Sequence, residues 1–148
     1  MSEKSSTRKR KVSWKKIHKL SKACAQLLKS KGSWNKIVAI TRGGLIPAAI
    51  IAKELDIKII DTVSIQSYEK TRRGRLNILK GSVLSRDTIL LIDDIVDTGQ
   101  TAATVKTMFP NAHFAAIYVK PTGKHLVDSF IREIKRDVWI VFPWEPTE

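Results

Sequence analysis

The chain has 148 residues and a mass of 16.7 kDa, with 43% hydrophobic and 28% charged residues, the size and mixture of one globular domain. Its apolar runs are far shorter than the ~20 residues a membrane span requires, and it begins with charge rather than an apolar signal core, so the expectation is a cytoplasmic protein without a spanning helix. The net charge of +13 is unevenly placed: residues 1–36 hold twelve of the 27 basic side chains and one of the 14 acidic ones, which leaves the rest near neutrality.

Residues 1–12 read as a disordered basic arm, since they carry too few apolar groups to offset the entropy of ordering. Such an arm suits RNA, anionic lipid or a polyphosphate, or serves as a solvated tail. From the N-cap Ser13, apolar residues at Ile17, Leu20, Cys24, Leu27 and Leu28 follow the spacing of one helical face until Gly32 stops the run. Cys24, the single cysteine, reads as a small core residue and excludes an intrachain disulfide. Lys36–Ile40 reads as a buried strand broken by Gly43-Gly44, followed by a helix over Ile46–Leu55 and an extended stretch over Ile57–Ile65. Between Ser67 and Gly81 the apolar periodicity is weak and basic residues surround Gly74, so the segment reads as a long, mobile basic loop. Thr88–Ile92 is a second buried strand, Thr101–Met108 a third helix and Phe114–Val119 a further strand. The alternation implies an α/β fold, a mostly parallel sheet flanked by helices, with ligands at the carboxyl ends of the strands.

The window ILLIDDIVDTGQTA, Ile89 to Ala102, carries the chemistry. An apolar strand delivers Asp93 and Asp94 at its carboxyl end, and Thr98, Gly99, Gln100 and Thr101 then open a helix. Free amides and the positive end of the dipole at that helix start form a cradle for phosphate. Adjacent carboxylates suit ribose hydroxyls, or a divalent metal escorting a polyphosphate. Taken singly, the turn also reads as a tight connection and one Asp as a helix cap, each the lesser reading. The combination on one strand–turn–helix unit favours the cradle.

This arrangement resembles the phosphoribosyl diphosphate (PRPP) motif of the type I phosphoribosyltransferases, and the chain from Trp34 to Trp144 is similar to the purine members that use xanthine and guanine. The anchors are WNKIVAITRGGLIPAAIIAKELDI, DTVSIQSY, FPNAHFAAIYVKPTGKHLVDSF and DVWIVFPW beside the acidic window. The resemblance implies the type I phosphoribosyltransferase fold with a small base-binding hood: one domain over 13–148, in which 68–80 is a flexible lid and 121–148 contributes to the hood. Thr41, Arg42 and Gly43 would hold the diphosphate, guanidinium by paired donors and glycine by close backbone approach, with a cis peptide at Thr41-Arg42. Asp93 and Asp94 would hold the ribose hydroxyls, Asp94 being the metal-linked member, with Mg2+ as cofactor. Asp97 would manage the proton at purine N7 as general base, and Asp97 to Thr101 would bind the 5′-phosphate. Lys120 would donate to O6, Trp139 would stack on the base and the Ile140 backbone would read its edge; Trp139 as core packing is the plain alternative. Arg73 or Arg75 of the lid would reach the diphosphate. The implied activity is transfer of 5-phosphoribose from PRPP to guanine or xanthine, hypoxanthine more weakly, by a homotetramer or a dimer, with the basic N-terminus touching anionic membrane. An RNA-binding regulator on the same fold is the rival, and the base-side pair Lys120 and Trp139, idle in such a protein, speaks against it.

Overall fold

The computed structural model of the protein describes residues 7–68, 75–80 and 86–146. Six strands form the main sheet: β2 (Lys36–Thr41), β3 (Ile59–Tyr68), β4 (Arg75–Lys80), β5 (Ile89–Val96), β6 (His113–Val119) and β7 (Ser129–Glu133), in the order β4-β3-β2-β5-β6-β7. Every neighbouring pair is parallel except β3–β4. The expected α/β architecture is thus present, with helices α1 (Trp14–Lys29), α2 (Leu45–Leu55) and α3 (Gln100–Met108) packed on the sheet.

Period-two alternation divides the core. Ile37 and Ala39 of β2 and Leu90 and Ile92 of β5 pack with Ile17, Leu20 and Leu28 of α1 and Ala48 and Ile51 of α2. Val38, Ile40 and Leu91 point the other way, toward Ala102 and Val105 of α3 and Phe109. Strands buried on both faces read as continuous apolar runs, which is why KIVAI and ILLI stood out. The Ser13 hydroxyl accepts from the Lys16 amide at 3.0 Å, capping α1 as its sequence position implied. Cys24 lies fully inside the first cluster, and burial pushes its thiol up to about 12. Among the described residues no helix is long and apolar enough to cross a membrane.

Two expectations need correction. Residues 8–11 of the supposed disordered arm form strand β1 (Arg8–Lys11), paired in parallel with β8 (Val138–Val141) in a separate two-stranded sheet. The β8 edge supplies partners that composition cannot reveal: the Arg8 amide donates to the Asp137 carbonyl at 2.7 Å and the Val12 amide to the Val141 carbonyl at 2.9 Å. Val12, buried in the first cluster, anchors the segment. Residues 1–6 lie outside the described residues. Within residues 121–148, β7 extends the main sheet while β8 joins β1. Finally, the second half of the expected loop is strand β4, antiparallel to β3. Its sequence RLNILK alternates polar and apolar residues only at first, too short a run to stand out among the basic residues around it. Residues 69–74 lie outside the described residues.

Candidate active site

Successive connections leave the sheet in opposite directions at the β2–β5 boundary, and their pairing stops at Ala39 and Ile92. Beyond that point a crevice opens at the carboxyl ends of both strands, the place where open parallel sheets bind ligands. A cleft of about 240 Å3 occupies it, lined by Thr41 at the end of β2, by Gly43 just beyond it, and by Asp93 to Thr101 from the end of β5 to the start of α3.

The β5 strand carries Asp93 and Asp94 to the cleft floor. Each carboxylate bends back on the chain, the Asp94 amide donating to Asp93 Oδ1 at 2.8 Å and the Ile95 amide to Asp94 Oδ1 at 2.7 Å. Burial, and then the charge of Asp94, hold the Asp93 carboxyl well above the usual carboxylate range. Burial raises Asp94 too. The pair is therefore primed for a partner that restores charge balance: hydroxyl donors or a cation.

Across the cleft, the Thr41-Arg42 peptide is cis, as the resemblance implied. A Cβ on Gly43 would overlap the Asp94 carboxylate, so only glycine lets this loop approach the acidic pair. Arg42 is exposed beside the cleft rather than in its lining. The Thr41 hydroxyl meets the Ser64 hydroxyl of β3, a partner the sequence reading missed because 23 residues separate them and no local signal marks the pairing.

The Thr98–Thr101 turn forms the remaining wall. Gly99 has φ 87°, and a Cβ there would come within 2.6 Å of Leu126 Cδ1, so both backbone and space demand glycine. Gln100 and Thr101 begin α3, whose N-terminus faces the cleft. Gly99 therefore places a helix start, with its unsatisfied amides, where an anion would sit.

At the rim, Lys120 is almost wholly buried directly after β6. Its Nζ donates to Asp97 Oδ2 at 3.2 Å and to the Arg136 carbonyl at 3.4 Å, and it lies 5.9 Å from the centre of the Trp139 ring. Trp139 is 50% exposed, which removes the core-packing alternative. Lys120 thus links the acidic wall to an open aromatic face, a geometry suited to a flat polar base. The Arg136 carbonyl is a second contributor the sequence did not show. Ile140 keeps its side chain in the core and stands opposite Arg10 in the β1–β8 ladder. Arg73 lies outside the described residues, and the Arg75 backbone opens β4 opposite Tyr68.

The chain matches the phosphoribosyl transferase domain family over residues 13–148. A xanthine-guanine phosphoribosyltransferase from Desulfotalea psychrophila is 53% identical over 135 residues, spanning 90% of this chain and 84% of that protein. Among solved structures, the purine phosphoribosyltransferase from Pyrococcus horikoshii superposes with a TM-score of 0.84 at 24% identity, covering 95% of each chain. A Helicobacter pylori xanthine-guanine-hypoxanthine phosphoribosyltransferase gives 0.79 at 22% identity, covering 93% of this chain and 94% of the other. These two likenesses bear on the fold, and the Desulfotalea relative bears on the chemistry.

Proposed function

This chain belongs to the phosphoribosyl transferase domain family, and on that premise we propose that its cleft transfers 5-phosphoribose from PRPP to a 6-oxopurine, guanine or xanthine foremost and hypoxanthine more weakly, releasing diphosphate and a purine nucleoside monophosphate. The observation that carries the proposal is the assembly of a phosphate cradle, an acidic pair and a lysine–tryptophan rim around one cleft at the β2–β5 boundary.

Each residue then has a task its chemistry permits. The amides and hydroxyls of Thr98 to Thr101 receive the 5′-phosphate at the start of α3. Asp93 and Asp94 accept from the ribose hydroxyls and fix the sugar, and the Thr41–Gly43 loop with Arg42 holds the diphosphate. Arg73 or Arg75 would add to that grip. Trp139 stacks on the purine beside Lys120. The ammonium has three donors, of which Asp97 and the Arg136 carbonyl take two, leaving one for O6 of the base. Adenine offers an amino group there, donor facing donor, and is rejected for that reason. Asp97, half exposed beside Lys120, takes the proton from N7 as the base attacks the sugar. The Ile140 backbone, one residue on from the stacking ring, would read the C2 side.

The donor set also fits magnesium. Among the described residues no group of three or more His, Cys, Asp or Glu could form a closed metal site, and Mg2+ characteristically binds through one or two carboxylates plus substrate phosphates. Asp94 would hold the ion, directly or through water, and when bound it neutralises charge on the diphosphate. The reading places the enzyme in purine salvage in the cytoplasm, as a homotetramer, with a dimer as the alternative. Neither the site nor the relatives favour the RNA-binding reading.

Incubation with PRPP, magnesium and guanine tests the proposal. GMP and diphosphate should form in equal amounts, and Asp94→Asn should abolish both. Absence of product, or full activity in Asp94→Asn, would refute it.

A further inference from the structure

A second cavity, of about 350 Å3, lies away from the active-site cleft, between β1, the start of α1 and the β6–β7 pair. Arg10, Lys11, Lys16 and Arg132 line it, and none of them makes an ion pair among the described residues. The one carboxylate in the lining, Glu133, is taken by Lys124 at 3.3 Å. Four cations thus face one space without a counter-charge, and the N-terminus of α1 adds the positive end of its dipole.

A second, independent feature points inward. Tyr118 is only 3% exposed, yet it lines this cavity and its hydroxyl makes no hydrogen bond among the described residues. Its ring is fixed edge-on against Phe142, with centroids 5.9 Å apart. The hydroxyl is thus a donor left open to the cavity, where an oxygen of a ligand or of water can accept from it. Burial raises the hydroxyl above its ordinary value, outweighing the pull of Arg10 and Arg132, so it stays a donor at neutral pH. The donor hydroxyl, two guanidiniums and two ammoniums outweigh the single carboxylate of Glu133, which Lys124 already pairs, and make a set that favours oxyanions.

We propose that the cavity between β1, α1 and β6–β7 is a binding site for a small soluble anion carrying two or more linked phosphates. Four unpaired cations exceed the charge of a single phosphate dianion, so linked phosphates fit better than one. The recessed tyrosine selects a compact ligand that enters the cavity over a flat charged surface that only touches its rim. Arg10 stands opposite Ile140 in the β1–β8 ladder, so the site uses the positive charge of the N-terminal segment as part of a built pocket.

Calorimetric titration of the full chain with inorganic tripolyphosphate tests this. Two sites per chain are expected, one in the active-site cleft and one in the cavity. Arg10→Gln/Arg132→Gln should weaken one of them at least tenfold while the rate of nucleotide formation stays within twofold. Tyr118→Phe, which keeps the ring, should weaken the same site several-fold. Lys19→Gln/Lys29→Gln removes equal charge elsewhere on α1 and should leave both sites intact. An unchanged isotherm in the arginine variant, equal weakening in the two double variants, or retention on phosphatidylserine vesicles without tripolyphosphate binding would overturn the proposal. A chain lacking phosphoribosyl chemistry would show the cavity site alone, so the two readings fail separately.

Discussion

Replacing Lys120 with methionine isolates the base-reading contact. Methionine keeps most of the side-chain volume at a position 5% exposed, so packing beside Val96 and Trp139 is largely retained while the charge is lost. Asp97, whose side chain is 47% exposed, stays solvated without its partner, and the cost to stability is therefore small, within about 1 kcal/mol for a pair open to solvent on one side. The substrate loses a charged hydrogen bond to O6, worth about 1.5–3 kcal/mol. At about 1.4 kcal/mol per decade this is roughly a 10- to 150-fold fall in kcat/KM for guanine and xanthine. The KM for PRPP should change by less than twofold, because Lys120 is not among the residues that line the cleft of the phosphate cradle. Steady-state kinetics with each substrate varied against saturating partner gives both numbers, and thermal unfolding checks the fold. An equal loss on the PRPP side, or unaltered kinetics with 6-oxopurines, would show that Lys120 serves the Asp97 wall and not the base.

Other residues give separate tests. Asp97→Asn should lower kcat by about 10²- to 10⁴-fold with little effect on PRPP binding, the range for a lost general base, as read by single-turnover kinetics. Gly43→Ala forces a Cβ into the Asp94 carboxylate and should reduce kcat/KM for PRPP at least tenfold with an unchanged circular dichroism spectrum. Removing residues 1–11 deletes β1, so calorimetry should show Tm lower by roughly 3–8 °C and kinetics a raised KM for the base, since β8 carries Trp139. An arm without structure would leave both unchanged. His113, held below its ordinary value by burial first and foremost, resists a proton that the unfolded chain accepts; stability should therefore fall as pH drops below about 6.5, and His113→Gln should flatten that part of the profile in urea titrations.

The site was legible in the sequence where its chemistry is local. Asp93 to Thr101 forms one strand–turn–helix unit, and the residues that matter are consecutive, so strand end, cradle and helix start could be read together. The Thr41–Gly43 loop was readable for the same reason. What stayed hidden depends on contacts between distant segments. Arg8 to Lys11 reads as a solvated arm because nothing in its neighbourhood announces β8, some 130 residues away. Likewise Lys120 receives its orientation from the Arg136 carbonyl and Asp97, and Thr41 from Ser64, pairings fixed by topology rather than spacing. β4 escaped because its short alternation lies in a segment whose charge suggested a loop. The cavity around Tyr118 is the extreme case, assembled from β1, α1, β6 and β7, four elements with no common motif.

The account rests most heavily on one cleft that recognises PRPP and a 6-oxopurine together. Nucleotide formation from PRPP and magnesium, with guanine, xanthine, hypoxanthine, adenine and uracil offered separately, tests it directly. Product is expected from the three 6-oxopurines, greatest with guanine or xanthine, and none above background from adenine or uracil. Turnover of adenine comparable to that of guanine, or no product with any base, would contradict it.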